Sequence, residues 1–208
     1  MLESALRILL VNCGAYRVPA LDTALRSRGY DCMMLDPHKA ATYAESYKVS
    51  AIIFSDYPDN FVGLENPKLT ELRKQHAHVP TLAIGRSAQM VAAEWEGELG
   101  DAQLTPGVTS MHPPGPSPLC NGLNSNRETT LSVWGCSGSP ILDLPGCFYV
   151  TATFCDEMRG IAAFEHLTQP LYGLQFSPEV RRTSLESRLL ENFVEKIAGC
   201  KAVVPASI

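Results

Sequence analysis

Apolar residues in the first hundred positions come in short unbroken runs, with segments of helical spacing between them. Arg7-Ile8-Leu9-Leu10-Val11-Asn12 predicts a strand buried on both faces, because such a strand needs no polar alternation. Pro19 to Arg28 carries Leu21 and Leu25 at helical spacing, and Gly29 is placed to end that helix. Three more strands are predicted over Asp31–Leu35, Ser50–Ser55 and Val79–Ile84, with Asp56-Tyr57-Pro58-Asp59 as a turn closing the second of these. Leu69–His76 and a segment from about Ser87 to Trp95 predict helices.

The pattern changes after Gly97. Residues 105–118 carry five prolines and predict an irregular surface loop. Shorter strands are expected at Leu131–Trp134, Phe148–Phe154, Ile161–His166 and Leu171–Phe176. Glu186 to Ala198 predicts a closing helix with Leu189, Leu190, Phe193 and Ile197 along one face. Strands alternating with helices imply parallel β-α-β units with right-handed crossovers. We find no internal repeat, and expect one α/β domain over residues 1–199 with a tail at 200–208.

A chain of 208 residues is long enough to bury a proper core. Its net charge of -5, with no basic stripe to offset it, argues against nucleic acid and anionic membranes as partners. The seven cysteines are scattered and form no C-x-x-C pair, so no metal site is expected and a reducing, cytoplasmic setting fits best. The interrupted run at Ala5–Val11 predicts neither a signal peptide nor a membrane span. No cofactor is implied.

Three segments carry a resemblance. Pro80-Thr81-Leu82-Ala83-Ile84-Gly85-Arg86-Ser87-Ala88-Gln89 is similar to P-x-L-G-I-C-x-G-x-Q of class I glutamine amidotransferases. Tyr172-Gly173-Leu174-Gln175-Phe176-Ser177-Pro178-Glu179-Val180 resembles their Y-G-x-Q-F-H-P-E-V, and Leu189-Leu190-Glu191-Asn192-Phe193-Val194 resembles the helix that follows. Val133-Trp134-Gly135-Cys136-Ser137-Gly138 is similar to V-W-M-S-H-G of the GMP synthetase type, and Ser55-Asp56-Tyr57-Pro58 falls where that type has S-G-G-P. The resemblance spans nearly the whole chain and is weakest at 97–128. It implies a three-layer, flavodoxin-like α/β fold with a largely parallel central sheet and a smaller antiparallel patch. The site would lie at the carboxyl ends of the strands, among the turns at 56, 85, 137 and 177.

In such enzymes a Cys at a strand-to-helix turn attacks the glutamine amide, a His carries the proton, and a Glu orients the His. Backbone N–H groups of a Gly-Gly turn hold the oxyanion. Carried over by resemblance, the Cys position is Gly85, the His position is Ser177, the Glu position is Glu179, and the glycine turn is Asp56-Tyr57. The Asp56 carboxylate would oppose an oxyanion if it points inward. A second family His falls at Ser137, and the substrate-holding Gln is kept as Gln89. Losing the nucleophile of such a unit costs roughly a million-fold in turnover. The resemblance therefore implies a pseudo-glutaminase, a non-hydrolysing or regulatory partner of an ATP-pyrophosphatase-type synthetase of the GMP synthetase kind.

Other readings stay open on the residues. Gly85 also suits a strained turn on steric grounds alone. Arg86, with Gln89 and Ser177, suits a glutamine, amino-acid or anion sensor; equally, Arg86 could pair with Asp56 or face water. Cys136 or Ser87 could carry relocated chemistry, although G-R-S-A-Q departs from G-x-S-x-G at its last position and no histidine is placed beside Ser87.

Overall fold

The computed structural model describes residues 7–123, 130–156, 159–180 and 184–202. Four parallel strands come first: β1 (Ile8–Val11), β2 (Cys32–Leu35), β3 (Ala51–Phe54) and β4 (Thr81–Ile84). Between and after them lie α1 (Val18–Arg26), α2 (Pro37–Ser46), α3 (Pro67–Gln75) and α4 (Arg86–Glu94). The second half adds β5 (Glu98–Leu99), β6 (Gly107–Met111), β7 (Leu131–Gly135), β8 (Ile141–Asp143), β9 (Phe148–Thr153), β10 (Ile161–His166), β11 (Leu171–Leu174) and α5 (Ser184–Glu191). Seven strands form the main sheet in the order β2-β1-β3-β4-β11-β10-β9. β2, β1, β3, β4 and β11 run parallel, and β10 and β9 antiparallel to their neighbours.

The unbroken apolar runs have a simple cause. Successive residues of a strand point to opposite faces, and both faces here are covered. Ile8 and Leu10 of β1, Ile53 of β3, and Leu82 and Ile84 of β4 pack with Leu21 and Leu25 of α1 and with Leu189 and Phe193. Their alternates Leu9, Val11, Ile52, Phe54 and Ala83 pack with α2, α3 and α4 through Ala40, Ala44, Leu69, Leu72 and Val91. This is the expected three-layer arrangement with its antiparallel patch.

Three expectations need correction. Residues 105–118 are not wholly irregular: Gly107–Met111 pairs antiparallel with β7, and the prolines flank that strand at 106 and 113 rather than interrupting it. α2 was not anticipated, although Asp36 caps it by accepting from the Lys39 N–H at 3.0 Å and a proline opens it. The closing helix changes to π geometry over Asn192–Ile197. There Asn192 Nδ2 donates to the carbonyls of Leu119 and Asn121, both at 2.9 Å. Among the described residues no helix is long and apolar enough to cross a membrane.

Candidate functional site

β3, β4 and β11 are adjacent and parallel, so their carboxyl ends emerge together. Asp56 follows β3, Gly85 follows β4, and Ser177 and Glu179 follow β11. β7 is clamped to the same edge: the Cys136 N–H donates to Gln175 O at 3.1 Å and the Ser177 N–H to Trp134 O at 2.8 Å. Gly85 is the N-cap of α4 with φ 60° and ψ -123°. A side chain is strained at that φ, and the Ala88 and Gln89 N–H groups donate to the Gly85 carbonyl at 3.0 and 3.2 Å, which holds the turn tight.

The space a side chain on Gly85 would enter is occupied. A Cβ built there lies 2.3 Å from both Cγ and Oδ1 of Asp56. That carboxyl is fixed by two backbone donors, the Tyr57 N–H and the Arg86 N–H, each 2.8 Å from the same oxygen, Oδ1. Asp56 therefore points inward. Its oxygen sits against the N–H of the β3 turn and the N–H of the residue after the strand-to-helix turn, the two donor types that make an oxyanion hole in nucleophile-elbow folds.

The neighbourhood is buried and acid-rich. Burial raises the Asp56 carboxyl above its ordinary range against the pull of its two N–H donors. Burial likewise pushes Glu179 up to about 7, with the Asp56 charge adding to it and Ser177 and Arg17 drawing it back. One Glu179 oxygen, Oε2, has no hydrogen-bond partner among the described residues, consistent with a neutral acid. Cys136 Sγ lies 3.5 Å from Ser177 Oγ, and burial, then Asp56, hold its thiol well above the ordinary value. A thiol so held is protonated and a poor nucleophile. The space left among Asp56, Tyr57, Trp134, Cys136 and Ser177 is about 10 Å³, no more than one water needs.

The remaining expected residues are placed as follows. Gln89 is fully buried, and its amide is bonded internally at both ends. Its Nε2 donates to Ser137 O at 2.9 Å and to Gln175 Oε1 at 3.2 Å, and its Oε1 accepts from the Ser139 N–H at 3.1 Å. Ser137 is buried, and its hydroxyl has no partner among the described residues. Tyr57 is buried, accepts from Asn66 Nδ2 at 2.6 Å, and packs at a tilt of 40° against Phe61, ring centroids 4.3 Å apart. Arg86 meets Asp56 through its backbone alone; its guanidinium neither pairs with that carboxylate nor faces bulk water, and lies over the Phe61 ring at 5.9 Å. Ser87 Oγ donates to Ser55 O at 2.6 Å. His166 is packed against Trp95 and Phe148 on another part of the sheet. Gln175 lies within a quoted motif, yet its role in locking Gln89 was missed, because a motif letter does not reveal which way an amide points. Among the described residues no group of three or more His, Cys, Asp or Glu is set to hold a metal.

A positive-φ strand-to-helix turn, faced by the ends of neighbouring strands at the carboxyl edge of a parallel sheet, is the architecture of nucleophile-elbow α/β proteins. Comparison with known proteins narrows that class. The family model Glutamine amidotransferase class-I matches residues 9–197. The chain belongs to that family. It is 29% identical over 203 residues to the glutamine-hydrolyzing GMP synthase of Nitrosococcus oceani, covering 95% of this chain and 38% of that protein. It is 27% identical over 196 residues to that of Vesicomyosocius okutanii subsp. Calyptogena okutanii, covering 94% and 37%. The chain thus spans less than two-fifths of these relatives. In fold it is similar to a GMP synthase subunit from Thermoplasma acidophilum, with a TM-score of 0.79 at 21% identity over 94% of each chain. A glutamine amidotransferase of Thermotoga maritima aligns with a TM-score of 0.64 at 16% identity, over 93% of this chain and 98% of that one.

Proposed function

We propose that this chain is a non-hydrolysing member of its family, a pseudo-glutaminase that serves as a partner or regulator of a GMP synthetase-type, ATP-pyrophosphatase synthetase. One observation carries the reading: the Asp56 carboxyl fills the space beside Gly85 and takes both backbone donors that an oxyanion would need. The family reaction requires a sulfur to attack the amide carbon, a base to move its proton, and an empty cradle for the oxygen that becomes negative. Gly85 supplies no sulfur, Ser177 no base near neutral pH, and Asp56 leaves no cradle. Glutamine has little to bind here, since the remaining space holds one water at most and Gln89 is committed to Ser137, Ser139 and Gln175.

Relocated chemistry is disfavoured by the same geometry. Burial, with the Asp56 carboxyl adding to it, raises the Cys136 thiol well above its ordinary value, and Ser87 gives its proton to a backbone carbonyl rather than to a base. The synthetase partner is favoured by the relatives of this chain, which are GMP synthases of more than twice its length. Two measurements test the proposal. Glutamate release from glutamine should stay at the rate without protein, and robust turnover would end the pseudo-glutaminase reading. An ATP-pyrophosphatase synthetase, mixed with the chain, should co-elute with it in gel filtration; separate elution would remove the partner role.

A further inference from the structure

The cleft next to the filled site holds a buried guanidinium that makes no ion pair among the described residues. Arg86 is only 5% exposed, its Nε has no hydrogen-bond partner, and its guanidinium makes no ion pair with any described residue. The face of Phe61, at 5.9 Å, is what its charge meets. The other buried arginine of the core region, Arg73, is treated differently: Glu94 holds it at 2.6 Å. A buried cation is retained at little cost only when an anion completes it.

Arg86 lines a half-open cavity of about 620 Å³ together with Phe61, Gly63, Glu65, Gln103 and Ser139. That volume is in the range that takes small metabolites. A guanidinium fork matches the two oxygens of a carboxylate or phosphate, and Arg86 stands at the first position of α4, where the helix end favours negative charge. The Arg86 N–H is already taken by Asp56, so the guanidinium is the donor left for a ligand. Glu65 on the rim opposes ligands of high negative charge.

We infer that this cavity binds a small oxyanion, a carboxylate or a single phosphate borne on a metabolite, with Arg86 as its principal ligand. The site needs neither glutamine hydrolysis nor a synthetase, so it stands apart from the functional reading above. Thermal unfolding of the whole chain would be followed with acetate, L-glutamate, L-glutamine, inorganic phosphate or ATP, against sodium chloride at equal ionic strength. A binding oxyanion at tenfold above its Kd should raise Tm by about 4 °C. ATP should do less than phosphate. Acetate and glutamate acting without phosphate would identify a carboxylate site, and phosphate acting alone a phosphate site. In Arg86→Met the shift should vanish while the ligand-free Tm holds or rises, because an uncompensated charge has gone. Arg86→Lys, which keeps the charge and loses the fork, should retain part of it. Should Arg86→Met fail to fold, amide chemical shifts of the unaltered chain replace it, and they should move at residues 61–65, 86, 103 and 139. The inference is overturned if no oxyanion shifts Tm, if sodium chloride gives the same shift, if Arg86→Met keeps the shift, or if the amides that move lie elsewhere.

Discussion

In the middle of the sheet Leu9, Leu10, Ile52 and Ile53 are fully buried and meet apolar neighbours on both faces. At the carboxyl edge of the same strands Ser137, Ser177 and Gln89 are buried to nearly the same degree, beside the Asp56 carboxyl and the Cys136 thiol. Burial in the first region stabilises through the hydrophobic effect. In the second it raises the Asp56 and Glu179 carboxyls above their ordinary values and leaves Glu179 Oε2, Ser137 Oγ and Arg86 Nε without partners among the described residues. Polar burial of that sort persists at functional sites, where stability is not the only thing selected. The difference teaches that the family scaffold is built on apolar burial, while at the carboxyl edge the Asp56 carboxyl stands in the space beside Gly85.

Substitutions in the two regions should therefore act with opposite sign. The largest effect belongs to the core: Leu10→Ala should cost about 2–5 kcal/mol in urea unfolding, since the site is closed on both faces. A loss under about 1 kcal/mol would mean the sheet is not packed as described. In the cleft, Glu179→Gln should stabilise, increasingly as pH rises from about 4 and fully above about 7. The folded-state value of Glu179, about 7, lies above the ordinary glutamate value of about 4.3. The folded chain therefore holds an extra proton between those values. The resulting stability is complete below about pH 4 and is lost as pH rises through 7. At pH 8 the glutamine variant should exceed the parent by about 3–4 kcal/mol, and at pH 4 the two should agree. Equal stability at both pH values would restore Glu179 to an ordinary solvated acid. A smaller effect returns to the scaffold: Asp36→Ala removes the cap that accepts from Lys39 N–H and should cost about 1 kcal/mol, read from the same unfolding curves.

Much of the scaffold was legible because its physics is local. Strands covered on both faces announce themselves as unbroken apolar runs, and Gly29, with φ 81°, ends α1 as its place in the sequence implies. α2 hid because it buries alanines, Ala40, Ala41 and Ala44, instead of larger side chains. Its signal was there in Asp36-Pro37. β6 hid among prolines that border it, and nothing in Asn192–Ile197 distinguishes a π turn from an α turn before Asn192 finds two carbonyls to donate to. In the cleft the positions were legible from the motifs, but the directions of side chains were not. Sequence allowed Asp56 to point either way, and only the fold brings the Tyr57 and Arg86 N–H groups to one oxygen. The guanidinium of Arg86 likewise turned away from the partner nearest to it in the motif comparison.

The claim that Asp56 occupies the space of a nucleophile and the donors of an oxyanion is tested most directly by a double-mutant cycle of Gly85→Ala and Asp56→Gly, read by urea unfolding. The added methyl would meet Asp56 at 2.3 Å, so Gly85→Ala alone should be strongly destabilised. The double variant should then lose about 1–2 kcal/mol less than the two single losses together, which is the coupling expected of residues in contact. Losses that add to within about 0.5 kcal/mol would contradict the account.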